Sequence, residues 1–426
     1  MGGRLLYRWS DWLGGRGVVP ALDAMLERQA WDAARLQADS RRRLEALVAH
    51  AVRTIPFYRT RGLEGAMRLE DLPLLDRTTL REAGPALRDP GVPLEELEEA
   101  TSGGSTGEPA AVWLDRADGA AQTAGVLRSQ SWMGLPFVVR HALLWGPPPD
   151  VVTYGTLRGR LRGIAVRRTF YPTYGLTDAG AEAIRRDLSR RAYPQVIGYS
   201  SALDHVAAGA PPLPRPARAV VASAEILTPP QRRRISRFFG AKVFERYGCN
   251  EFAIVAHQCA AGGMHVLTDR VHLEILRADG RPAADGEIGE AVVTDLDNRA
   301  MPLLRYRLGD AIEAGGRCSC PLPFPVVAAV HGRMADLLVG AGGGPVSARH
   351  VAVALEAGGE ALEHQVRIAG AGLTCAVRPL GSFDVARAAE RLHALLGRPV
   401  DVRTAPSLAR WPSGKVRPVL RDGDPA

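Results

Sequence analysis

The chain has 426 residues, of which 46% are hydrophobic and 23% charged, and its formal net charge at pH 7 is +8. This balance is typical of globular proteins, it argues against global disorder, and the length predicts two or three domains. No apolar run approaches the roughly 18 residues of a membrane helix, and the N-terminal segment lacks the apolar core of a secretory signal. Since five cysteines are too few for a disulfide scaffold at this length, we expect a soluble protein of the reducing cytoplasm without a membrane partner.

Almost all of the positive charge comes from arginine, because only Lys242 and Lys415 are lysines. The basic residues are spread along the chain and form no stripe interleaved with aromatic residues, so a nucleic-acid partner is not expected. Attraction for small anionic ligands agrees with the net charge. The composition makes Lys415 unusual, since it follows Ser413 and Gly414 in a chain that otherwise avoids lysine.

The predicted elements of the first half begin with a helix over residues 21–53, where apolar residues recur on one face. A loop rich in glycine, serine and threonine follows at 101–109. Between about 140 and 250, short apolar runs alternate with helical segments, of which 178–192 and 229–239 are the clearest. The apolar runs are 141–145, 195–198, 218–222 and 242–244. Because strands that alternate with helices are joined by crossover connections, this part predicts a largely parallel sheet.

In the second half, residues 271–277 alternate in polarity and are followed, after a turn, by a second strand at 288–294. This pattern predicts an antiparallel section. After Arg333 the chain changes character and predicts a small α+β unit. Its segments are a helix at 349–357, a hairpin at 366–378, a helix at 384–396 and a strand at 400–404. We therefore expect an α/β protein with a large N-terminal domain, residues 1–335, and a small C-terminal domain, residues 336–426.

The loop at 101–109 reads Thr101-Ser102-Gly103-Gly104-Ser105-Thr106-Gly107-Glu108-Pro109. Its glycines would let backbone N–H groups approach an anion closely, and its hydroxyl groups would add neutral donors. It lacks the Gly-Lys-Ser/Thr ending of a Walker loop. Taken alone, the pattern predicts a phosphate cradle no better than a flexible loop, so the other motifs must decide.

Four further motifs follow this loop in order. They are Tyr247-Gly248-Cys249-Asn250-Glu251, Tyr306-Arg307-Leu308-Gly309-Asp310, Gly332-Arg333 with Asp336, and Ser413-Gly414-Lys415. With them the sequence resembles the adenylate-forming superfamily of acyl-CoA synthetases, adenylation domains and luciferases. Within that superfamily it resembles the branch of phenylacetate–CoA ligases and CapK-like proteins. The segments that carry this second likeness are Thr54-Ile55-Pro56-Phe57-Tyr58-Arg59, Asp71-Leu72-Pro73-Leu74 and Gly198-Tyr199-Ser200-Ser201.

The resemblance implies a large adenylate-forming domain with mixed, largely parallel sheets and a mobile C-terminal lid. The implied ATP contacts are Ser102, Gly103, Gly104, Ser105, Thr106, Gly107, Ser223, Ala224, Glu225, Tyr247, Asp310 and Arg333. Glu251 is the implied Mg²⁺ ligand, since hard cations take carboxylate oxygens alongside phosphates. Lys415 would bridge the carboxylate and the α-phosphate as charge builds in the transition state, with Arg333 beside the nucleotide. Asp336 matches the hinge of the lid.

Four of these residues also have an ordinary structural interpretation. Glu251 could be a solvated acid at a helix start, Tyr247 a core tyrosine and Asp310 a turn aspartate. Lys415 could be an exposed lysine of the C-terminal tail. The presence of all the motifs in one order favours the functional interpretation.

A second constellation, Cys259-x5-His265 with Cys318-x-Cys320, supplies three thiolates and an imidazole. This donor set suits tetrahedral Zn²⁺ with no open position, so a structural zinc is expected rather than a zinc hydrolase. The spacing is not that of a standard zinc finger, and ordinary buried cysteines are the alternative. The resemblance adds weight, because related members of the branch bind zinc at equivalent places. His257 is the rival imidazole.

Family positions that line the acyl pocket correspond to Trp145, Gly146, Tyr199, Ser200, Ala224 and Gly248. Aromatic and small residues suit a flat aryl or arylacetic acid, although core packing explains Trp145 and Tyr199 nearly as well. The resemblance therefore implies ATP-dependent formation of an acyl-adenylate from a small carboxylic acid, followed by transfer to the thiol of coenzyme A. Transfer to a carrier-protein thiol or an amine is one alternative, and a non-catalytic binding relative is another. Dimers are common among relatives, so a homodimer is included among the expected assemblies.

Overall fold

The computed structural model describes residues 17–61, 68–101, 110–146, 167–370, 372–410 and 416–424. The helices of this part of the chain are α1 (Val18–Gln29), α2 (Ala33–Thr54), α3 (Pro56–Arg59), α4 (Arg77–Ala83), α5 (Arg116–Trp132), α6 (Asp178–Arg190), α7 (Ser200–Ala207), α8 (Pro229–Phe239), α9 (Ala348–Leu355) and α10 (Val385–Leu396). The strands are β1 (Glu98–Thr101), β2 (Ala111–Leu114), β3 (His141–Trp145), β4 (Arg168–Pro172), β5 (Gln195–Tyr199), β6 (Ala219–Ser223), β7 (Val243–Tyr247), β8 (Ala256–Gln258), β9 (Met264–Val266), β10 (Val271–Leu276), β11 (Ile288–Asp295), β12 (Tyr306–Glu313), β13 (Val326–Val327), β14 (Ala329–Arg333), β15 (Leu338–Val339), β16 (Pro345–Val346), β17 (Ala361–Ala369), β18 (Gly372–Pro379), β19 (Asp401–Thr404) and β20 (Val419–Leu420). Over the same residues, no helix combines the length and the apolar character needed to cross a membrane.

These elements form two compact units, each built from two stretches of chain. The first unit comprises Met1–Val138 and Arg246–Val330, and the second comprises Val139–Glu245 and His331–Ala426. The chain passes from one unit to the other three times: after Val138, within β7 and within β14. The predicted boundary between residues 335 and 336 concerns a movement of the lid, and it stays a prediction.

The N-terminal helix of the first unit is divided in two, where the sequence pattern predicted one helix. α1 ends at Gln29, and α2 begins after Asp32, whose carboxylate accepts a hydrogen bond from the Arg35 N–H at 2.7 Å. An aspartate in this position satisfies one of the free N–H groups of a helix start. The cap at Asp32 therefore starts a second helix at a point that the apolar periodicity passes over.

The sheets of the first unit are antiparallel. β10, β11 and β12 form consecutive pairs, which confirms the antiparallel pair predicted at 271–277 and 288–294 and adds β12 as a further strand. A second ladder pairs the end of β7 with β8, β8 with β9, and β9 with β13. In this ladder His257 lies opposite His265. The two ladders position the motifs that follow β7 and that begin β12.

The second unit contains the parallel sheet that the alternation of strands and helices predicted. Its strands are ordered β6-β5-β3-β4, and each neighbouring pair is parallel. α8 begins with the predicted proline pair, and the Thr228 and Gln231 side chains form a reciprocal cap at its start. Leu203 of α7 and Phe239 of α8 are fully buried against the sheet core.

The C-terminal residues of the second unit form a separate small core, as the sequence predicted. β17 and β18 make the hairpin, and the strand order is β19-β18-β17-β20. Val366, Cys375 and Leu392 are buried in this core together with residues of α9 and α10. The arrangement confirms the expected fold class, a large α/β portion with a small α+β portion at the C-terminus.

Candidate active site and metal cluster

The motif at 247–251 lies at the end of β7. The tight turn that follows spans residues 248–254, and we call this turn the Glu251 turn. The Val255 N–H donates a hydrogen bond to the Tyr247 carbonyl at 2.9 Å, which closes the turn. A Cβ atom on Gly248 would lie 1.8 Å from the Ala253 carbonyl oxygen, so no other residue fits at this position. Ala253 adopts a positive φ of 54°, which is uncommon for a residue with a side chain. The glycine of the motif is therefore required by the backbone geometry.

The Glu251 carboxylate is buried within this turn. The residue is 4% exposed, and its Oε2 atom has no hydrogen-bond partner in the described part of the chain. A buried carboxylate oxygen without a partner is costly unless a cation or a donor completes it. Because Mg²⁺ takes carboxylate oxygens as ligands, Glu251 fits the role that the resemblance implies.

The Cys249 thiol lies beside this carboxylate. Burial, followed by the negative charge of Glu251, raises the pKa of the Cys249 thiol well above its usual value, and the two side chains are hydrogen-bonded. A protonated thiol can donate to the carboxylate. Cys249 is thus a buried thiol that contacts the predicted metal ligand.

Tyr247 and Asp310 come from separate motifs and meet in the first unit. The Tyr247 hydroxyl donates a hydrogen bond to Asp310 Oδ2 at 2.9 Å. The charge of Asp310 also contributes to the raised pKa of Cys249, so the aspartate lies near the Glu251 turn as well. The structure thus brings Tyr247, Glu251 and Asp310 into one group of side chains.

Sequence reasoning missed Arg77, which belongs to the same neighbourhood. Its side chain is hydrogen-bonded to Tyr306 of the Tyr306–Asp310 motif. Burial and then the charge of Glu251 raise the pKa of Tyr306, while Arg77 opposes this rise. No motif contains Arg77, because it lies in the first turn of α4 far away in the sequence, so the pattern gave no signal for it.

In the second unit, the predicted acyl-pocket residues lie at the carboxyl ends of parallel strands. β3 is followed by β4 on one side of the sheet, and the chain then returns to place β5 on the other side. Ligands of open α/β sheets bind outside the carboxyl ends of the strands at such a reversal. Trp145 ends β3 and Tyr199 ends β5, and their ring centroids are 4.4 Å apart with an interplanar angle of 36°.

A cleft opens at this reversal and holds about 420 Å³, part of it continuous with solvent. It is lined by aromatic, hydroxyl and charged side chains. These residues are Gly146, Thr173, Tyr174, Leu176, Tyr199, Ser201, Ala202, His205, Glu225, Glu363 and Arg410. Gly146 and Tyr199 are therefore predicted acyl-pocket residues that line an open space.

The remaining predicted residues near β5 and β6 have structural contacts of their own. Ser200 is fully buried and donates a hydrogen bond to the Glu225 carbonyl at 3.2 Å. The Glu225 Oε2 accepts from the Ser201 N–H at 2.9 Å at the start of α7, where a helix attracts negative charge. Ser223 is 7% exposed, and Ala224 adopts a positive φ of 63° in the turn that links it to Glu225.

Arg333 and Asp336 lie together in the second unit, where β14 ends. Burial raises the pKa of the Asp336 carboxyl to about 6, and the positive charges of Arg417, Arg333 and Arg421 oppose this rise. The Arg421 guanidinium also donates hydrogen bonds to the carbonyls of residues on either side of Asp336, at 3.0 Å to Ala335 and 3.2 Å to Leu337. The predicted hinge is thus surrounded by arginines.

The four residues of the predicted zinc site converge in the first unit. The ligand atoms of Cys259, His265, Cys318 and Cys320 all lie within 4.8 Å of one another; we call them the cysteine–histidine cluster. The sulfur atoms of Cys259 and Cys318 are 3.5 Å apart, and Cys320 Sγ is 3.2 Å from His265 Nε2. His257 is not among these four residues. The structure therefore selects His265 as the imidazole of the cluster.

The surroundings of the cluster suit a closed metal site. His265 Nδ1 donates to the Phe324 carbonyl at 2.8 Å, which leaves Nε2 directed at the thiols, as is usual for ligating histidines. Burial opposes ionisation of Cys318, but hydrogen bonds from its neighbours lower the pKa of this thiol to about 6. A Cβ on Gly263 would lie 2.6 Å from Cys318 Cβ, so the glycine makes room for the ligand. The donors present fit Zn²⁺.

Comparison with known proteins points in one direction. No family model matches the chain. The phenylacetate–coenzyme A ligase of Thermus thermophilus is 28% identical over 336 residues, which cover 72% of this chain and 72% of the relative. The phenylacetate–coenzyme A ligase of Escherichia coli is 37% identical over 98 residues, or 22% of each chain. The structure of 2-hydroxyisobutyryl-CoA ligase in complex with an acyl-AMP matches with a TM-score of 0.74 at 20% identity, over 93% of this chain and 91% of that chain.

The chain is a homologue of the phenylacetate–CoA ligases and has the adenylate-forming fold. The same fold occurs in the anthranilate CoA ligase AuaEII, with a TM-score of 0.55 at 16% identity over 77% of this chain and 66% of that one. The resemblance drawn from the ordered motifs is thereby confirmed.

Several residues that the adenylate-forming motifs identify lie outside the described residues. They are Ser102, Gly103, Gly104, Ser105, Thr106, Gly107 and Lys415. Among the others, the first unit contains Tyr247, Gly248, Glu251 and Asp310, and the second contains the cleft, Arg333 and Asp336. The roles of all these residues stay predictions.

Proposed function

We propose that this homologue of the phenylacetate–CoA ligases is an ATP-dependent, AMP-forming acid–CoA ligase that acts on a small carboxylic acid. The observation that carries the proposal is the group of Tyr247, Glu251 and Asp310. Two motifs that are far apart in sequence supply it, and one of its buried carboxylate oxygens has no partner among the described residues. The relatives named phenylacetate–coenzyme A ligase support the same reaction class.

The first step joins the acid to the nucleotide. A carboxylate oxygen of the acid attacks the α-phosphorus of ATP, the bond to the β-phosphate oxygen breaks, and pyrophosphate leaves. Little proton transfer is needed, so the protein contributes positioning and charge. Glu251 would hold the Mg²⁺ that neutralises the phosphates, Asp310 would accept hydrogen bonds from the ribose hydroxyls, and Tyr247 orients Asp310.

Cationic side chains would stabilise the charge that develops in this step. Lys415 is proposed to bridge the acid carboxylate and the α-phosphate, and Arg333 to lie beside the nucleotide. The hydroxyl-rich loop, Ser102 to Gly107, is proposed to hold the β- and γ-phosphates. A loop without lysine binds polyphosphate less tightly, which suits the release of pyrophosphate.

The second step transfers the acyl group. The thiolate of coenzyme A attacks the acyl carbon of the adenylate, the bond to the AMP phosphate oxygen breaks, and AMP leaves with its electron pair. Rotation of the C-terminal residues about Asp336 would withdraw Lys415 and admit the thiol. Arg421 holds the carbonyls on both sides of Asp336 and is proposed to fix one of the two orientations of this hinge.

The acid is proposed to be a flat aryl or arylacetic acid. The closely packed, tilted rings of Trp145 and Tyr199 at the cleft support this choice. The hydroxyl and charged groups of the lining, among them Ser201 and His205, suit polar groups on the same acid.

We further propose that the cysteine–histidine cluster holds one structural Zn²⁺. Four protein ligands leave no open position, so the ion would tie β9 to the segment before β13 and would take no part in the reaction. A cytoplasmic location, where ATP and coenzyme A are supplied, agrees with this function. The homodimer stays a prediction, which a measurement of the molecular mass in solution would test.

The test is a panel of carboxylic acids scored by acid-dependent pyrophosphate release from Mg·ATP, followed by thioester formation on addition of coenzyme A. Lys415→Ala should abolish pyrophosphate release while the protein still folds. Lys242→Ala is the matched control, because it removes the other lysine of the chain and should leave the rate unchanged. Unchanged release by Lys415→Ala would remove this lysine from the mechanism. Release of pyrophosphate with no thioester would favour a carrier-protein thiol or an amine as acceptor.

A further inference from the structure

Two side chains that belong to none of the adenylate-forming motifs donate hydrogen bonds to the backbone of the Glu251 turn. Gln122 Nε2 of α5 donates a hydrogen bond to the Glu251 carbonyl at 3.2 Å. Arg270, which precedes β10, donates from Nη1 to the next carbonyl, that of Phe252, at 3.2 Å. Two consecutive carbonyls of the turn are therefore fixed by side-chain donors.

One carboxylate organises both donors. Asp118 Oδ2 accepts from Gln122 Nε2 at 3.0 Å, and Asp118 Oδ1 accepts from Arg270 Nη2 at 2.8 Å. Asp118 and Gln122 are four residues apart on α5 and so lie on the same face of the helix. Asp118 and Arg270 are fully buried, which shields the hydrogen bond between them from water, while the bond of Asp118 to Gln122 is partly buried.

The position of Asp118 is itself fixed. The Asp115 side chain caps the start of α5 by accepting from the Asp118 N–H at 2.9 Å. Arg270 is anchored a second time, because its Nε donates to Asp297 at 2.9 Å. Each of the two donors is thus held by a further hydrogen-bonded residue.

We propose that Gln122, oriented by Asp118, is a positioning residue that places the Glu251 carboxylate for the metal-bound nucleotide. Arg270 serves the neighbouring carbonyl in the same way. The inference rests on the proposed function, because it takes Glu251 as the ligand of Mg²⁺. Partners that orient metal ligands change metal affinity about 10–100-fold when they are removed, and a partner that acts on the backbone belongs at the lower end.

The test measures Mn²⁺ binding to the full chain in the presence of a non-hydrolysable ATP analogue, by the electron paramagnetic resonance of free Mn²⁺. A titration of the analogue alone is subtracted, because the nucleotide phosphates bind Mn²⁺ without the protein. Gln122→Met keeps the length of the side chain and removes its donor. We expect about tenfold weaker Mn²⁺ binding. In turnover the Mg²⁺ concentration for half-maximal rate should rise similarly, with kcat at saturating Mg²⁺ little changed.

Two further variants make the result decisive. Thr123→Val is the matched control, because it removes a side-chain hydrogen bond within the same helix, to Gly119, and should leave Mn²⁺ binding and thermal stability near those of the parent. Gln122→Met should unfold at a lower temperature than this control, because Asp118 Oδ2 loses a donor, and should still be fully folded at the temperature of the binding assay. Glu251→Gln should lose the Mn²⁺ binding that exceeds that of the analogue alone.

The outcomes separate the two levels of the argument. If Gln122→Met binds Mn²⁺ like the parent while Glu251→Gln does not, the positioning role is overturned and the proposed function stands. If Glu251→Gln also binds Mn²⁺ like the parent, Glu251 is not the ligand and both the role of Glu251 and this inference fail.

Discussion

Two groups of side chains in the first unit have the spacing of a metal site, and they differ in what lies between their ligand atoms. One is the cysteine–histidine cluster. The other is formed by Asp118, Asp295 and Asp297, whose carboxylate oxygens also lie within 4.8 Å of one another; we call it the aspartate cluster. In the first group the described contacts run between the ligands themselves, such as the 3.2 Å contact of Cys320 with His265.

In the aspartate cluster the guanidinium of Arg270 takes the place that a cation would need. It lies 2.8 Å from Asp118, 3.5 Å from Asp295 and 2.9 Å from Asp297. Arg43 adds a further ion pair to Asp297. An internal arginine that is itself fully buried compensates these carboxylates, so the cluster is a structural ion network. The comparison teaches that ligand spacing alone does not identify a metal site, because the charge at its centre must also be known.

The largest expected effect comes from removing that central charge. Arg270→Met leaves two buried carboxylates, Asp118 and Asp295, and the partly buried Asp297 without their shared partner, so we expect the free energy of unfolding to fall by about 3–5 kcal/mol. Urea denaturation measures the loss. The matched control is Arg277→Met, which removes an exposed arginine and should cause no measurable change. A loss no larger than that of the control would show that Arg270 does not hold the aspartate cluster together.

The second prediction removes one ligand from the other cluster. Cys318→Ser should reduce bound zinc from about one equivalent to nearly none and lower the free energy of unfolding by about 2–3 kcal/mol. Zinc is measured by elemental analysis of the purified protein. His257→Gln is the control, since His257 is buried opposite His265 but stands outside the cluster, and this variant should keep its zinc. Loss of zinc in His257→Gln would contradict the assignment of His265.

The third prediction concerns pH and the aspartate cluster. Burial raises the pKa of the Asp295 carboxyl from 3.8 to about 6, against the attraction of Arg270. The folded state therefore binds this proton more tightly than the unfolded state does. Stability contributed by the protonated carboxyl is complete at low pH and is lost as the pH rises through about 6.

The free energy of unfolding of the parent should accordingly fall between pH 4 and pH 6. In Asp295→Asn this fall should be smaller by about 1–2 kcal/mol. Urea denaturation at several pH values gives the slope. An unchanged slope would show that Arg270 keeps this carboxyl ionised over the whole range, as in an ordinary salt bridge.

The fold could largely be predicted because its signals are local. The alternation of strands and helices at 140–250 gave the parallel sheet, and Pro229 and Pro230 marked the start of α8. The break between α1 and α2 was missed, although Asp32 is a residue type that favours helix starts. Apolar periodicity continues across this break, so it could not reveal the cap.

The candidate site was predictable only where residues belong to motifs. Glu251, Tyr247 and Asp310 were found in this way, and Cys259, His265, Cys318 and Cys320 by residue type. Spacing in the sequence could not decide between His257 and His265. The two residues lie directly opposite each other on β8 and β9, and only the tertiary structure shows that the His265 ring lies among the thiols.

Partners that come from distant segments gave no signal in the sequence. Arg77, Gln122 and Arg270 act on the Glu251 neighbourhood through contacts that only the tertiary structure creates. The same holds for the charge at the centre of the aspartate cluster.

The smallest expected effect comes from replacing a glycine beside each cluster by alanine, which tests how much space each cluster leaves for a methyl group. A Cβ on Gly263 would lie 2.6 Å from Cys318 Cβ and 2.7 Å from its sulfur, whereas a Cβ on Gly125 would meet Arg270 Cδ at 3.5 Å, an ordinary contact. Gly263→Ala should therefore displace a zinc ligand and weaken zinc binding about tenfold, as measured by competition with a chelator. Gly125→Ala lies within α5 and should raise the free energy of unfolding by about 0.5–1 kcal/mol, because alanine favours a helix over glycine. If Gly263→Ala bound zinc as tightly as Gly125→Ala does, the geometry of the cysteine–histidine cluster would not be constrained at Gly263, against the closed metal site proposed for it.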